Sequence, residues 1–146
     1  MRILGVMSGT SCDGLDCCVA DIDFISSSNL EFKIIKFETV QFSDYEKKFL
    51  LSLRSNIQGL RKSERIVTDM FSDKISVFSA LDGVDYISCH GHTVKHIDKV
   101  LSIQLLDAKR MYERFGIPVV YNFRQNDIKC GGNGAPLMPF LDSLIF

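Results

Sequence analysis

The residues best suited to chemistry in this 146-residue chain lie near its start, in the stretch 5–16, which reads Gly-Val-Met-Ser-Gly-Thr-Ser-Cys-Asp-Gly-Leu-Asp. The hydroxyl groups of Thr10 and Ser11 can donate hydrogen bonds to phosphate oxygens. Asp13 and Asp16 offer the carboxylate oxygens that Mg²⁺ prefers, as direct ligands or through water. This combination is typical of a turn that binds phosphate groups.

The same stretch also has the composition of an ordinary hairpin turn. Gly9 and Gly14 can adopt the positive φ that a tight turn requires, and they let a ligand approach the backbone closely. Gly-Thr-Ser and Asp-Gly are, however, common in turns that bind nothing. Composition alone therefore leaves two interpretations open, a phosphate-binding turn and a purely structural one.

Three histidines, His90, His92 and His96, form a second candidate group. Two histidines two residues apart on a strand share a face, which is compatible with a zinc site. The segment offers no carboxylate at matching spacing, and the Cys89 thiol would point to the other side. The pattern therefore favours a polar loop after a buried strand.

The cysteines indicate thiols rather than cross-links. There are five of them, Cys12, Cys17, Cys18, Cys89 and Cys130, with no Cys-x-x-Cys pair. An odd number without paired spacing argues against a disulfide framework and against a zinc ribbon. Cys17 and Cys18 are adjacent in a strand pattern, so they face opposite sides and at least one of them is expected to be buried.

Charge and hydropathy exclude several classes of partner. The 17 Lys and Arg against 18 Asp and Glu give a net charge of -1, which provides no basic field for nucleic acid or an anionic membrane. The apolar runs are far shorter than the roughly 20 residues of a membrane helix, and the N-terminal apolar segment is too short for a signal-peptide core. We therefore expect a cytoplasmic protein with one domain.

The elements that would position these residues begin with three strands. Apolar alternation predicts strands over residues 2–7, 15–24 and 31–42, with the polar turn Ser26-Ser27-Ser28-Asn29 between the second and the third. Consecutive strands joined by short turns favour an antiparallel meander.

Helices and further strands follow the meander. A capping box at Ser43 and Glu46 opens the first helix, and a longer apolar stripe predicts a second helix over residues 63–81. The remaining predictions are strands over 84–89, 100–105 and 117–121 and, after Asp107, a helix ended by Gly116 and Pro118. We expect the strand 84–89 to be buried and parallel to the first strand.

Two side chains fall where predicted strands end. In an open α/β sheet, ligands bind beyond the carboxyl ends of the strands. His90 follows the strand 84–89 and Arg124 follows the strand 117–121, so both join the candidate site. Arg124 can bind a carboxylate or a phosphate through two parallel hydrogen bonds. The alternative for Arg124, a solvated loop arginine, stays open at this point.

Three blocks of the sequence, taken in order, resemble the anhydro-N-acetylmuramic acid kinases, bacterial enzymes of the sugar kinase, actin and Hsp70 superfamily. Residues 5–16 are similar to the N-terminal signature of that family. Residues 88–96 resemble its Ser-His-Gly-Gln-Thr segment, with Cys89 added or substituted and His92 where glutamine is usual. Residues 122–139 resemble its Asp-Phe-Arg-x-x-Asp-x-x-x-Gly-Gly-x-Gly-Ala-Pro-Leu-x-Pro segment.

Two positions depart from the family pattern. Asn122 stands where the family has an aspartate, and this change removes a charge partner beside Arg124. Leu106-Asp107-Ala108 stands where the family usually has Gly-Asp-Pro.

The resemblance implies a fold of the α/β class. The expected architecture is a ribonuclease-H-like lobe of the actin and hexokinase type, whose mixed sheet has an N-terminal three-strand antiparallel meander followed by parallel strands and flanking helices. Residues 1–146 would form the N-terminal lobe of a sugar kinase, incomplete relative to the family because the second lobe is absent. That lobe would carry a phosphate turn at 5–16, a sugar-site loop at 88–96 and a strand-end loop at 122–136.

The resemblance also implies ATP and Mg²⁺ as cofactors and a small amino sugar as the substrate. Asp13 would hold Mg²⁺, directly or through water. Substrate contacts would come from His90, Thr93, Gln104 and Arg124. The phosphates of ATP would contact eight consecutive residues, Gly9, Thr10, Ser11, Cys12, Asp13, Gly14, Leu15 and Asp16.

The reaction implied by the resemblance opens the anhydro bridge of 1,6-anhydro-N-acetylmuramic acid with water and transfers the γ-phosphoryl group of ATP to O6. The product would be N-acetylmuramic acid 6-phosphate, in peptidoglycan recycling. The family's catalytic base lies in a later Asp-Thr-Gly-Pro-Gly segment that this sequence does not contain, so we expect no catalytic residue here and an inactive isolated chain. The alternative is a non-catalytic nucleotide- or sugar-binding module that acts with a partner chain.

The last residues predict a helix with an unpartnered apolar stripe. The stripe consists of Leu137, Phe140, Leu141, Leu144 and Ile145 and runs up to Phe146. Such a stripe would pack against the missing second lobe or against a second copy in a homodimer.

Overall fold

A computed structural model describes residues 1–26, 29–55 and 59–145 of the chain. Its strands are β1 (Arg2–Ser8), β2 (Gly14–Ser26), β3 (Asn29–Gln41), β4 (Tyr86–Cys89), β5 (His92–Ile97), β6 (Leu101–Leu105) and β7 (Val119–Val120). Its helices are α1 (Asp44–Ser52), α2 (Leu60–Phe78), α3 (Ala108–Phe115), α4 (Phe123–Lys129) and α5 (Met138–Ile145).

Five of the strands form one mixed sheet in the order β3-β2-β1-β4-β7. The pairs β1–β2 and β2–β3 are antiparallel, which confirms the predicted meander. The pairs β1–β4 and β4–β7 are parallel, with helices in the connections between them. This order confirms the expected α/β class and the ribonuclease-H-like lobe.

The core lies between one face of this sheet and the helices. Alternate residues of β1 and β2 point to that face and are fully or almost fully buried, for example Leu4, Leu15 and Val19. From α2, Phe71 and Ile75 have no exposed surface and pack into the same cluster. Burying one such side chain contributes roughly 1.5–3 kcal/mol, so this packing fixes the face that β2 presents to the helices.

Three predicted helix ends, the start of α1 and both ends of α3, are confirmed by their backbone geometry and hydrogen bonds. The Glu46 carboxylate accepts from the Ser43 backbone N–H at 2.6 Å, and the Ser43 hydroxyl accepts from the Glu46 backbone N–H at 3.3 Å, which is the capping box. At α3, the Asp107 carboxylate accepts from the Arg110 N–H at 3.0 Å. Gly116 ends α3 with φ 68°, a conformation that favours glycine.

The glycines of the first turn do not have the predicted positive φ. Neither Gly9 nor Gly14 has a positive φ; the left-handed residue of this turn is Cys12, with φ 55°. Gly14 instead allows close packing of strands, because a Cβ there would lie 2.6 Å from Thr39 Cγ2 and 3.0 Å from the Val40 carbonyl oxygen. The turn conformation therefore depends on Cys12, and the hairpin depends on the missing side chain of Gly14.

Two predicted loops contain regular structure. The segment after β4 is not a polar loop, since β5 begins at His92 and pairs with β6 in a separate two-stranded sheet. The strand-end loop 122–136 begins with the helix α4. Other elements exist with shifted bounds: α2 begins before the predicted residue 63, and β7 has two residues. Of the predicted turn 26–29, Ser27 and Ser28 lie outside the described residues.

The predicted C-terminal helix is present as α5, which packs against β3. Leu141 is exposed on it. The predicted stripe also involves Phe140, Leu144 and Ile145, whose side chains are outside the description, as is Phe146. In the part of the chain that the structure describes, no helix has the length and apolarity needed to cross a membrane.

Gly14→Ala should destabilise the chain, because the new Cβ would clash with β3 at Thr39 and Val40. We expect a loss of about 1–3 kcal/mol in the free energy of unfolding, measured by urea denaturation. The matched control is Gly9→Ala, whose Cβ would meet nothing closer than the Ser11 hydroxyl at 3.8 Å. Equal losses in the two variants would contradict the packing role of Gly14.

Candidate functional site

The three sequence blocks meet at one edge of the main sheet. The turn 9–13 follows β1, His90 follows β4, and Arg124 lies in the first turn of α4, shortly after β7. Because β1, β4 and β7 are parallel, their carboxyl ends lie side by side. A small cavity of about 40 Å³ is lined by residues from all three blocks, namely Met7, Ser8, Gly9, Thr10, His90, His92, Thr93 and Arg124.

His90 and Arg124 form the central contact of this site. The Arg124 Nε–H donates to His90 Nε2 at 2.7 Å, and His90 Nδ1 lies 3.0 Å from the Gly91 carbonyl oxygen. A carbonyl can only accept, so Nδ1 carries the proton and Nε2 is the acceptor. Burial lowers the pKa of His90, and the positive charge of Arg124 also lowers it. The hydrogen bond to Gly91 acts in the opposite direction and only partly offsets the effect of burial. The imidazole is therefore neutral and holds the guanidinium in place.

Thr93 and Gln104 are opposite each other in the β5–β6 hairpin. The Gln104 side-chain NH₂ donates to the Ser102 hydroxyl at 2.7 Å and, at 3.4 Å, to Thr93 Oγ1. Gln104 Oε1 is buried without a partner among the described residues. A buried acceptor without a donor is costly unless a ligand or water supplies one. A hydroxyl or an N–H group placed next to Gln104 Oε1 would supply the missing donor.

A second depression adjoins the first. It has a volume of about 170 Å³ and is lined by Glu64, His90, Gln104, Leu106, Tyr121 and Asn122. His90 lines both depressions. All four residues predicted to bind the substrate, His90, Thr93, Gln104 and Arg124, therefore lie along one continuous surface.

The N-terminal turn presents its polar groups to solvent. Thr10, Ser11 and Asp13 are exposed, whereas Cys12 is fully buried. Burial raises the pKa of the Cys12 thiol above its usual value. The side chain of Leu15 is also fully buried, so it does not face the site. The Leu15 backbone lies between β1 and β3, where it pairs with Ser8 and Val40.

Two cations next to this turn were not among the sequence predictions. The Lys47 ammonium contacts the Asp13 carboxylate, and the Arg54 guanidinium donates to the Thr10 carbonyl oxygen. Lys47 lies in α1 and Arg54 just after it. The sequence signal that places them is the capping box, which fixes where α1 begins. Lys47 is paired with Asp13, so Arg54, which contacts a neutral carbonyl oxygen, leaves the turn with a net local positive charge.

The two carboxylates predicted for Mg²⁺ do not converge. Hydrogen bonds from Lys47 and Ser11 hold the pKa of Asp13 below its usual value. Asp16 accepts from the Thr39 hydroxyl at 2.6 Å and lines a different depression, next to Gly5 and Cys18. Within the described residues, no group of three or more His, Cys, Asp or Glu could hold a metal ion. Asp13 alone fits an Mg²⁺ ion that is held mainly by phosphates.

The three histidines point to three different partners. His92 is 1% exposed and its Nε2 lies 3.3 Å from the Leu50 carbonyl oxygen, while its Nδ1 has no partner among the described residues. His96 Nδ1 lies 3.0 Å from the Ser102 hydroxyl, and His90 contacts Arg124. Burial lowers the pKa of His92 to about 4. His92 is thus a neutral core residue beneath the site.

The fold and this geometry define an α/β lobe whose strand ends form a polar cleft. The sequence model of the anhydro-N-acetylmuramic acid kinase family matches residues 1–146. The chain belongs to the anhydro-N-acetylmuramic acid kinase family.

Curated relatives named anhydro-N-acetylmuramic acid kinase agree with this assignment. The Shewanella amazonensis protein is 32% identical over 98% of this chain and 41% of its own length. The Ruegeria sp. protein is 35% identical, over 96% of this chain and 36% of its own length. This chain therefore spans about two fifths of the length of these relatives. Among solved structures, Thermus thermophilus RuvC aligns with 99% of this chain and 78% of its own, at 12% identity and a TM-score of 0.45.

The stability of the chain should depend on pH through His92. Its pKa falls from the ordinary value of 6.5 to about 4 on folding, so the unfolded state binds more protons between these values. The stabilisation from the neutral ring is complete above pH 6.5 and is lost as the pH falls towards 4, by roughly 3 kcal/mol at most. Urea unfolding at a series of pH values measures it.

His92→Gln keeps an N–H donor for Leu50 but removes the titrating ring, so its unfolding free energy should fall less steeply between pH 6.5 and 4 than that of the wild type. The control is Val94→Ala in the same strand, which changes a buried side chain that does not titrate and should keep the wild-type slope. Identical slopes in wild type and His92→Gln would show that His92 is not the group responsible.

Proposed function

We propose that this chain forms the N-terminal lobe of an ATP-dependent kinase that acts on 1,6-anhydro-N-acetylmuramic acid. The enzyme would open the anhydro bridge with water and phosphorylate O6, giving N-acetylmuramic acid 6-phosphate in the cytoplasmic recycling of peptidoglycan. The observation that carries the proposal is the convergence of three family-like blocks on one cleft, with Arg124 oriented by His90.

The sugar would lie against the surface that links His90, Thr93, Gln104 and Arg124. The contact between Arg124 and His90 uses Nε, which leaves the two terminal NH₂ groups of the guanidinium for the lactyl carboxylate of the sugar. Such a pairing gives two parallel charge-assisted hydrogen bonds. Gln104 Oε1, which is buried and lacks a donor, would accept from a sugar hydroxyl or from the acetamido N–H.

The phosphates of ATP would lie at the turn 9–13. Thr10 and Ser11 present exposed hydroxyl groups there, and Lys47 and Arg54 supply positive charge. Asp13 would hold Mg²⁺, which when bound neutralises charge on the phosphates. On Mg²⁺ binding, Lys47 would exchange its contact with Asp13 for one with a phosphate oxygen. The lobe thus positions both substrates, and positioning supplies a large part of the catalysis of phosphoryl transfer.

The reaction can be tested by mass spectrometry after incubating the chain with Mg-ATP and 1,6-anhydro-N-acetylmuramic acid. We expect no phosphorylated sugar, because the base that the resemblance implies lies in a segment that is not among these 146 residues. The Shewanella amazonensis relative serves as the positive control for the assay. Product from this chain alone would mean that its base lies within residues 1–146.

Binding of the sugar tests the lobe directly. Arg124→Lys should weaken binding by roughly tenfold or more, since a lysine cannot make two parallel hydrogen bonds to a carboxylate. His90→Phe should weaken binding too, because it removes the acceptor that orients Arg124. Isothermal titration calorimetry of each variant with the sugar, in the absence of ATP, measures both effects as changes in Kd.

The matched control is Arg114→Lys, at an ion pair with Asp73 on the outer surface of the helices. It should leave sugar binding unchanged. A second titration uses the analogue without the lactyl group, for which wild type and Arg124→Lys should bind alike. If Arg124→Lys weakens both sugars equally, Arg124 does not bind the carboxylate. If neither sugar binds the wild type, the lobe works instead as a nucleotide-binding module.

A further inference from the structure

Four polar side chains share one face of the hairpin that β5 and β6 form. Thr93 and His96 come from β5, and Ser102 and Gln104 come from β6. Thr93 pairs with Gln104 and His96 pairs with Ser102, so the two cross-strand pairs follow each other along the hairpin. We call these four residues the polar face.

A bulge in β5 brings the polar face together. Thr93 and His96 are three residues apart, and in a regular strand such residues point to opposite sides. The register shifts between Thr93 and Lys95, so Val94 is an extra residue on this strand. The shift returns His96 to the side of Thr93 and leaves Lys95 on the other side, opposite Ile103.

Close polar contacts join the four side chains in series. The Gln104 side-chain NH₂ lies 2.7 Å from Ser102 Oγ and 3.4 Å from Thr93 Oγ1. Ser102 Oγ lies 3.0 Å from His96 Nδ1. The other ring nitrogen of His96, Nε2, is buried without an aligned hydrogen bond in the described part of the chain, and Asp98 Oδ1 lies 2.9 Å from it. We call this series of contacts, from Asp98 to Thr93, the relay.

The Asp98 carboxylate decides the direction of the hydrogen bonds in the relay. A carboxylate oxygen can only accept, so its contact with His96 is favourable when the proton is on Nε2 and repulsive when Nε2 carries a lone pair. His96 Nδ1 is then an acceptor, Ser102 donates to it, and the Ser102 oxygen accepts from Gln104. The Gln104 amide must therefore turn its NH₂ group towards Ser102 and leave Oε1 for another partner.

The third family-like block, residues 122–139, restricts both central members of the relay. A Cβ at Gly134 would lie 3.2 Å from His96 Cε1, so the glycine lets the backbone approach the ring closely. Gly134 has φ 80°, and its N–H donates to the Asp127 carboxylate at 2.8 Å. The Gln125 side-chain oxygen accepts from the Ser102 N–H at 3.3 Å. These contacts limit how far the His96 ring and Ser102 can move apart.

We propose that His96 is a positioning residue for sugar binding, which makes Gln104 present an acceptor and Thr93 a donor at the sugar surface. Gln104 lines the depression of about 170 Å³, and its Oε1 is buried without a partner among the described residues. Thr93 Oγ1 accepts from Gln104, so its own O–H remains a donor for a ligand. A hydroxyl or N–H of the sugar suits Gln104 Oε1, whereas an ether or carbonyl oxygen would meet another lone pair. The inference rests on the proposed function, which assigns the sugar to this surface.

Nitrogen-15 NMR of the histidine rings tests the direction of the relay without any ligand. At about pH 8, where histidine is ordinarily neutral, we expect His96 to carry its proton on Nε2 and His90 to carry it on Nδ1. The two rings should therefore give opposite patterns in one spectrum, and His96→Asn identifies the His96 signals. A proton on Nδ1 of His96 in the wild type would overturn the proposal.

Gln104→Glu tests whether the proton position is coupled along the relay. A carboxylate at this position cannot donate to Ser102, so Ser102 must donate to it and His96 must donate from Nδ1. We expect the His96 Nδ1 signal to become that of a protonated nitrogen. The matched control is Lys95→Glu, which adds a carboxylate on the other side of the strand and should leave Nδ1 unprotonated. An unprotonated Nδ1 in Gln104→Glu, or a protonated one in both variants, would overturn the proposal.

Calorimetric titration with the sugar tests the role of His96 in recognition. His96→Leu removes the acceptor for Ser102, which can then donate to Gln104 and turn its amide over, so the Kd should rise roughly tenfold. His96→Asn places Oδ1 near the position of Nδ1 and should bring the Kd back to within roughly threefold of the wild type. Lys95→Leu, the matched control, should bind like the wild type. Circular dichroism checks that each variant is folded.

Two results would overturn the role of His96. One is a folded His96→Leu variant that binds the sugar as tightly as the wild type, and the other is an equal loss of affinity in His96→Leu and His96→Asn. A wild type that binds no sugar overturns the proposed function and with it the sugar as the ligand. The proton positions are measured without sugar, so they stand or fall separately.

Discussion

The candidate site depends on the position of β1, which pairs with an antiparallel strand on one side and a parallel strand on the other. The antiparallel neighbour makes the end of β1 a tight turn. The parallel neighbour brings the end of β4 to the same edge, where the His90 N–H donates to the Val6 carbonyl oxygen at 3.1 Å. A turn with exposed hydroxyls and the partly buried His90 therefore become neighbours although more than 75 residues separate them. Burial of the core face of β1 beneath α2 keeps this pairing in register.

The sequence predicts the first three strands and the first two helices well, because the patterns that indicate these elements lie within each element's own residues. Periods of two and of 3.6 residues locate β1 to β3 and α2, and the capping box locates α1. The predictions fail where tertiary packing decides. In β5, His92 and Val94 are the alternate residues that are buried. The other residues of this strand are mostly polar, and a histidine is rarely expected in a core, so the sequence does not show the alternation that predicts a strand. The short α4 follows Asn122, which has a positive φ and no side-chain cap, so no capping signal announces it.

The residues of the candidate site also fall into two groups, those that the sequence predicts and those that only the fold brings to the site. Predicted strand ends point to His90 and Arg124, the family resemblance adds Thr93 and Gln104, and these four lie along one surface. The capping box locates the helix that carries Lys47, but no motif links Lys47 or Arg54 to the turn, and only the fold brings them there. The pairing of Arg124 is also unexpected. Where the family has an aspartate, this chain has Asn122, and the acceptor for Arg124 is instead a neutral ring nitrogen. A neutral acceptor orients the guanidinium without cancelling its charge, which leaves the full charge for an anion.

The helix α1 touches both halves of the cleft. Its Leu50 carbonyl oxygen contacts the buried ring of His92, its Lys47 contacts Asp13 in the turn 9–13, and Arg54, two residues after its end, donates to the Thr10 carbonyl oxygen. The helix has nine residues, and the side chain of Leu50 anchors it in the core. A residue change in α1 would therefore alter both the buried contact beneath His92 and the charge beside the turn 9–13. The two ends of the cleft share one structural support, which the separate positions of their residues in the sequence do not reveal.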